Sequence, residues 1–211
     1  MGRIAGRAVA PLRPDDASAR VHTVLVGEAP GPRGADRSGI PFLGDRAGAP
    51  LYAALVEAGC VVWEGDPASV PWEGAALRDA GVRPVARDVW LTNAYDRCPT
   101  DDGERFRAPS ARERTAPANL ERLRAELAEA RALGAVQVCC LGRVAGDVLQ
   151  RVVADGLAVH VLPHPSAQGL LMAAPGRGKG MALAELEAAW TARLAALLRA
   201  ARDAMPPRVS D

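Results

Sequence analysis

Four short apolar runs, each closed by turn residues and each separated from the next by a longer segment, restrict this chain more than any other feature. They are Thr23-Val24-Leu25-Val26-Gly27, Val89-Trp90-Leu91-Thr92-Asn93, Val136-Gln137-Val138-Cys139-Cys140-Leu141 and Val159-His160-Val161-Leu162. Runs this short and continuously apolar suit strands covered on both faces, as in parallel sheets. Helical spacing fills the intervals. Residues 46–58 place Leu51, Leu55 and Ala58 on one face, and residues 111–133 repeat Leu120, Leu123 and Leu127. Residues 143–153 and 181–201 continue the pattern, the latter through Leu183, Leu186, Trp190, Leu194 and Leu197. Strands alternating with helices make an α/β fold with a parallel sheet, which gathers its sites at the carboxyl ends of the strands.

A length of 211 residues suits one domain. Residues 1–20, rich in Arg, Pro and Asp, read as a flexible N-terminal arm, and residues 21–205 as a single domain. Residues 64–73 and 99–109 read as loops. The net charge of +1 excludes a polybasic protein, so any nucleic-acid surface is a local patch. The cysteines are Cys60, Cys98, Cys139 and Cys140, with no CxxC pair. That is neither a disulfide framework nor a zinc-site spacing, and it reads as reduced, buried thiols. No stretch approaches a membrane span and the first residues carry no sustained apolar run. The expectation is a soluble, cytoplasmic chain.

The chemistry concentrates where the strands end. The first runs into Gly27-Glu28-Ala29-Pro30-Gly31 and then Gly39-Ile40-Pro41-Phe42-Leu43-Gly44-Asp45-Arg46-Ala47-Gly48; the second ends Leu91-Thr92-Asn93-Ala94; the fourth ends His164-Pro165-Ser166-Ala167. Carboxylates, an amide and an imidazole would converge on one sheet edge. In order and separation these segments resemble the uracil-DNA glycosylase superfamily over residues 22–200. GEAPG is similar to the first motif of the family 4 enzymes, while the spacer to GIPF and the following Gly44-Asp45 look like family 5. The fold implied is a three-layer α/β/α sandwich around a central four-stranded parallel sheet.

That resemblance implies cleavage of an N-glycosidic bond after the base is flipped out of the DNA. His164 would stabilise charge on the leaving base. Asn93 would read the Watson–Crick edge, Phe42 would stack on the base, and backbone N–H groups at Gly27, Glu28 and Ala29 would face the base oxygen O2. A carboxylate would stabilise the sugar cation and orient water. Family 4 points to Glu28 and family 5 to Asp45, with Asp36 behind both. Ser166 would hold phosphate, Gln168, Leu170 or Leu171 would wedge into the stack, and Arg177 and Lys179 would contact phosphates. Where strict uracil enzymes carry a blocking tyrosine, this chain has Gly31, which implies a roomier pocket. Both families hold an iron–sulfur cluster on four cysteines; only Cys98 stands near a ligand position, so no cluster, metal or other cofactor is expected. Lys179 is the sole lysine, which disfavours a lyase step. The expectation is a monomeric, monofunctional glycosylase for uracil or a related deaminated base in single- or double-stranded DNA. A glycosylase for another modified base and a catalytically silent DNA binder stay open.

Overall fold

Each apolar run forms a strand. A computed structural model describes residues 4–16, 19–152 and 156–205. In chain order the elements are β1 (Thr23–Gly27), α1 (Ala35–Ser38), α2 (Gly48–Glu57), β2 (Val61–Glu64), α3 (Gly74–Asp79), β3 (Arg83–Ala86) and β4 (Val89–Asn93). There follow α4 (Ala111–Arg114), α5 (Pro117–Ala132), β5 (Gln137–Leu141), α6 (Arg143–Leu149), β6 (Ala158–Leu162), α7 (Ala167–Ala173) and α8 (Leu183–Asp203). The central sheet has the order β4-β1-β5-β6, all parallel.

Period-2 alternation sorts its side chains into two cores. Leu25, Leu91, Cys139 and Leu162 meet Leu51 and Leu55 of α2 and Trp190, Leu194 and Leu198 of α8 on one face. Val24, Val26, Trp90, Val138 and Cys140 meet Leu123 and Leu127 of α5 and Val148 and Leu149 of α6 on the other. The result is the three-layer α/β/α sandwich. Cys139 and Cys140 are adjacent in sequence yet lie in opposite cores, with burial pushing both thiols up to about 12.

Several local expectations are corrected. The helix expected over residues 111–133 is two, because Pro117 starts α5 at a position a helix cannot run through. Helix α2 begins at Gly48 rather than residue 46, and no side chain caps it. The stretch 64–73 contains a 3-10 turn at Pro67–Ser69, and β2 and β3 pair antiparallel as a separate two-stranded sheet, Val61 opposite Ala86 and Glu64 opposite Arg83. The described part of the first twenty residues is tied to the sheet edge. Leu12 exchanges backbone hydrogen bonds with Leu91, the Val9 N–H donates to the Asp96 carbonyl, and the Arg13 guanidinium lies 5.0 Å from the Trp90 ring centre. A buried valine and a paired edge hold a segment that composition alone reads as loose.

Candidate active site

At the carboxyl end of the sheet a cleft of about 310 Å³ opens between the turn after β1, the 99–109 loop and the turn after β6. Glu28, Ala29, Pro30 and Pro32 form one wall, Cys98 and residues 106–109 another, and His164 closes it. Glu28 and His164, proposed from sequence to share a site, therefore line the same cavity.

His164 is positioned by a backbone that turns sharply after β6. Its Nδ1 accepts the Ser166 N–H at 3.3 Å. Burial penalises the imidazolium and lowers its pKa below the ordinary value of 6.5. A neutral ring that accepts at Nδ1 carries its proton on Nε2, so His164 offers an uncharged N–H donor. Behind it, Trp190 Nε1 of α8 donates to the Pro163 carbonyl at 2.9 Å and anchors the turn.

The Glu28 carboxylate is half-exposed and pairs with Arg114 of α4 at 3.3 Å. Arg114 also donates to the Pro109 carbonyl, so one guanidinium ties the carboxylate to the opposite wall. That wall is itself braced: Arg107 grips Glu113 through Nη1 and Nη2 at 2.6 and 2.7 Å, and Ser110 and Glu113 form a capping box. Arg107 beside it holds the Glu113 carboxyl down at about 2. Sequence reasoning missed Arg114, Arg107 and Phe106, because only the break before Pro117 turns this segment back toward Glu28. Cys98 is a buried wall residue, its thiol pushed up to about 11 by burial.

Asn93 and Phe42 form a second group directly behind Gly27. The β1–β4 register sets Gly27 opposite Asn93. A Cβ on Gly27 would stand 2.5 Å from Phe42 Cε1 and 2.6 Å from Asn93 Oδ1, so glycine here admits the ring and the amide together. Asn93 Oδ1 is buried and accepts no hydrogen bond, a cost of about 1–3 kcal/mol that marks a group awaiting a partner. Phe42 is the described non-glycine residue with the largest positive φ, 64°, a strain of about 1–3 kcal/mol of the kind stored at functional sites. Neither lines the open cleft; both are nearly covered.

Asp45 is elsewhere. Its Oδ2 accepts the N–H groups of Gly31 and Ala35, each at 3.2 Å, and burial raises its pKa despite these bonds. It does not line the cleft. It also removes the space expected beside Gly31, where a Cβ would meet Asp45 Oδ1 at 2.0 Å. Gly31 is thus required by the approach of Asp45 and does not widen the pocket. Asp36 is buried as well and accepts the Gly6 N–H at 2.9 Å.

The expected DNA contacts divide. Ser166 caps α7, its Oγ accepting the Gly169 N–H at 3.2 Å. Gln168, Arg177 and Lys179 are exposed, and Arg177 adopts a left-handed φ of 56°. Leu170 is corrected: it is only 4% exposed and belongs to the core with Trp190, so it is no wedge. Leu171 packs partly buried against the turn at Gly178.

A parallel-sheet sandwich with a carboxylate and a neutral imidazole donor lining one cleft at its strand ends has the parts of an enzyme that cuts N-glycosyl bonds. The family model described as Uracil DNA glycosylase superfamily matches residues 14–191, and the chain belongs to that superfamily. Its members are DNA glycosylases, hydrolases whose substrate is DNA. A comparison with curated proteins found no match. Among the described residues no helix is long and apolar enough to cross a membrane.

Proposed function

We propose that this protein is a monofunctional DNA glycosylase that flips uracil or a related deaminated base out of DNA, hydrolyses its N-glycosidic bond and leaves an abasic site. The observation that carries this reading is the shared cleft of Glu28 and His164 with the orphaned Asn93 oxygen behind it. Asn93 Oδ1 accepts N3–H of the flipped base and its amide N–H donates to O4, a pattern cytosine cannot match. Phe42 supplies the stacking face. As the bond lengthens, Nε2–H of His164 donates to O2 and stabilises the departing anion without needing a charged ring. Glu28 stabilises the oxocarbenium-like sugar and orients the attacking water. Asp45 is assigned to holding the Gly31–Ala35 turn rather than to water, because it is turned into backbone amides away from the cleft.

The test is base release from labelled oligonucleotides bearing uracil opposite G, opposite A or in a single strand, with hypoxanthine and xanthine in parallel. Alkali-labile breaks in the wild type, lost in Glu28→Gln and in Asn93→Ala, support the reading. Binding to abasic DNA with no release from any of these bases refutes it.

A further inference from the structure

At the opposite end of the sheet, three side chains that this chemistry does not use come together. His22 precedes β1, Cys60 follows α2 and Asp88 precedes β4, and one ligand-type atom from each lies within 4.8 Å of the others. His22 Nε2 is 3.4 Å from Asp88 Oδ1 and 3.7 Å from Cys60 Sγ. Zinc bonds of about 2.0–2.1 Å to nitrogen, 2.0–2.2 Å to oxygen and 2.3 Å to sulfur give tetrahedral N···O and N···S edges of about 3.4 and 3.6 Å. The two edges that meet at His22 Nε2 therefore already have the lengths of a coordination tetrahedron, and the third lies within 4.8 Å.

Two further observations point to a ligand. Asp88 Oδ1 is buried and makes no hydrogen bond of normal geometry, with the His22 ring 3.4 Å away and the Cys60 thiol beside it. The groups around the three residues are also arranged as outer partners. His22 Nδ1 contacts Thr23 Oγ1 at 2.7 Å, and that hydroxyl oxygen also accepts from Gln137 Nε2 at 2.9 Å. In the tautomer with the ring proton on Nδ1, donated to that hydroxyl, His22 Nε2 is bare toward the cluster. Arg202 of α8 donates to the outer oxygen, Asp88 Oδ2, at 2.8 Å and to Cys60 Sγ at 3.1 Å, while its Nη1 is held by the Ala58 carbonyl at 2.7 Å. Such contacts orient ligands without supplying one.

We propose that His22, Cys60 and Asp88 form a site for one zinc-class divalent ion, with water as fourth ligand on the Asp88 side. His22 and Cys60 are fully buried, whereas the Asp88 side chain is 22% exposed and provides the entry. One thiolate, one imidazole and one carboxylate select zinc or cobalt over magnesium or calcium. Binding displaces the Cys60 thiol proton to solvent. The ion would clasp the beginnings of β1 and β4 to the end of α2, the elements whose other ends carry Glu28, Asn93 and the Phe42 turn. Cysteine spacing gave no sign of it, because only one cysteine takes part.

The test titrates the metal-stripped full chain with Zn²⁺ and with Co²⁺ against a chromogenic chelator. The expected result is one ion per chain, a thiolate-to-cobalt charge-transfer band, and a rise in melting temperature on adding zinc. Cys60→Ser and Asp88→Asn, both near-isosteric, lose the band and the rise while melting cooperatively without metal; Arg202→Gln weakens binding by about 10–100-fold. No band and no rise in the wild type would overturn the proposal. A band that survives Cys60→Ser or disappears in Cys98→Ser would do so as well. None of these readouts depends on glycosylase activity.

Discussion

Gly27→Ala tests the base pocket through a single methyl group. Gly27 lies in β1 with an ordinary strand backbone, so alanine brings no torsional penalty and its effect is steric alone. The new Cβ would sit 2.5 Å from Phe42 Cε1, 2.6 Å from Asn93 Oδ1 and 2.7 Å from Phe42 Cζ. Ordinary carbon contacts lie near 3.5–4.0 Å, so ring and amide must each retreat by about 1 Å. Phe42 has little room to do so, being buried in an already strained conformation. Overpacking of this kind costs about 1–3 kcal/mol, which at 2–4 °C per kcal/mol lowers the melting temperature by roughly 2–12 °C. An ångström of displacement in groups that orient a substrate costs on the order of 10²-fold in rate. The assay is single-turnover base release well below the melting transition, beside a thermal melt. Gly146→Ala, in helix α6, serves as the control, since its Cβ would meet only the exposed Val161 side chain, Cγ2 at 3.2 Å and Cγ1 at 3.6 Å. Wild-type release by Gly27→Ala, with the expected loss of stability, would refute the placement of the base against Phe42 and Asn93.

Glu28→Gln is expected to lower base release by about 10²–10⁴-fold. Its melting temperature should change little, because the half-exposed pair with Arg114 is worth about 0–1 kcal/mol; Asp45→Asn should retain release once folded, and the reverse outcome assigns the water to Asp45. Leu170→Ala should cost about 2–5 kcal/mol as a core deletion, read by calorimetry, whereas the exposed Gln168→Ala should leave stability unchanged and slow release. A Leu170→Ala protein that melts like the wild type but fails on duplex DNA would restore the wedge. His164 has a depressed folded pKa, so the unfolded chain takes up its proton first; the stability contribution is complete above pH 6.5 and declines as pH falls toward the folded pKa. The His164→Gln variant should show a flatter stability–pH slope in that window, and an unchanged slope would mean the ring is solvated.

The sequence was most legible where one residue's environment is decided locally. β1, β4, β5 and β6 are covered on both faces, so their runs stand out, and their termini announce Glu28, Asn93 and His164. The β2–β3 pair was not legible: it is short and half-covered, with Glu64 and Arg83 exposed and Trp63 packed against Tyr52 and Trp72, and it has no clean alternation. Asp45 could be weighed as a catalyst or a helix cap but not as the partner of Gly31, a contact made only once the two turns fold together. Arg114 stands 86 residues from Glu28, and no local pattern links them. The His22 cluster was hidden for the same reason, since its members come from three separate elements.

The hydrogen bond from Trp190 to the Pro163 carbonyl also bears on biosynthesis. Every residue of the cleft leaves the ribosome before α8 does, yet the turn bearing His164 is fastened by that helix, whose leucines also complete one of the two cores. A nascent chain stopped before Leu183 holds Glu28, Asn93 and His164 without the element that fastens the turn of the last. Ordering of the His164 turn therefore comes late in translation, when α8 closes over the sheet.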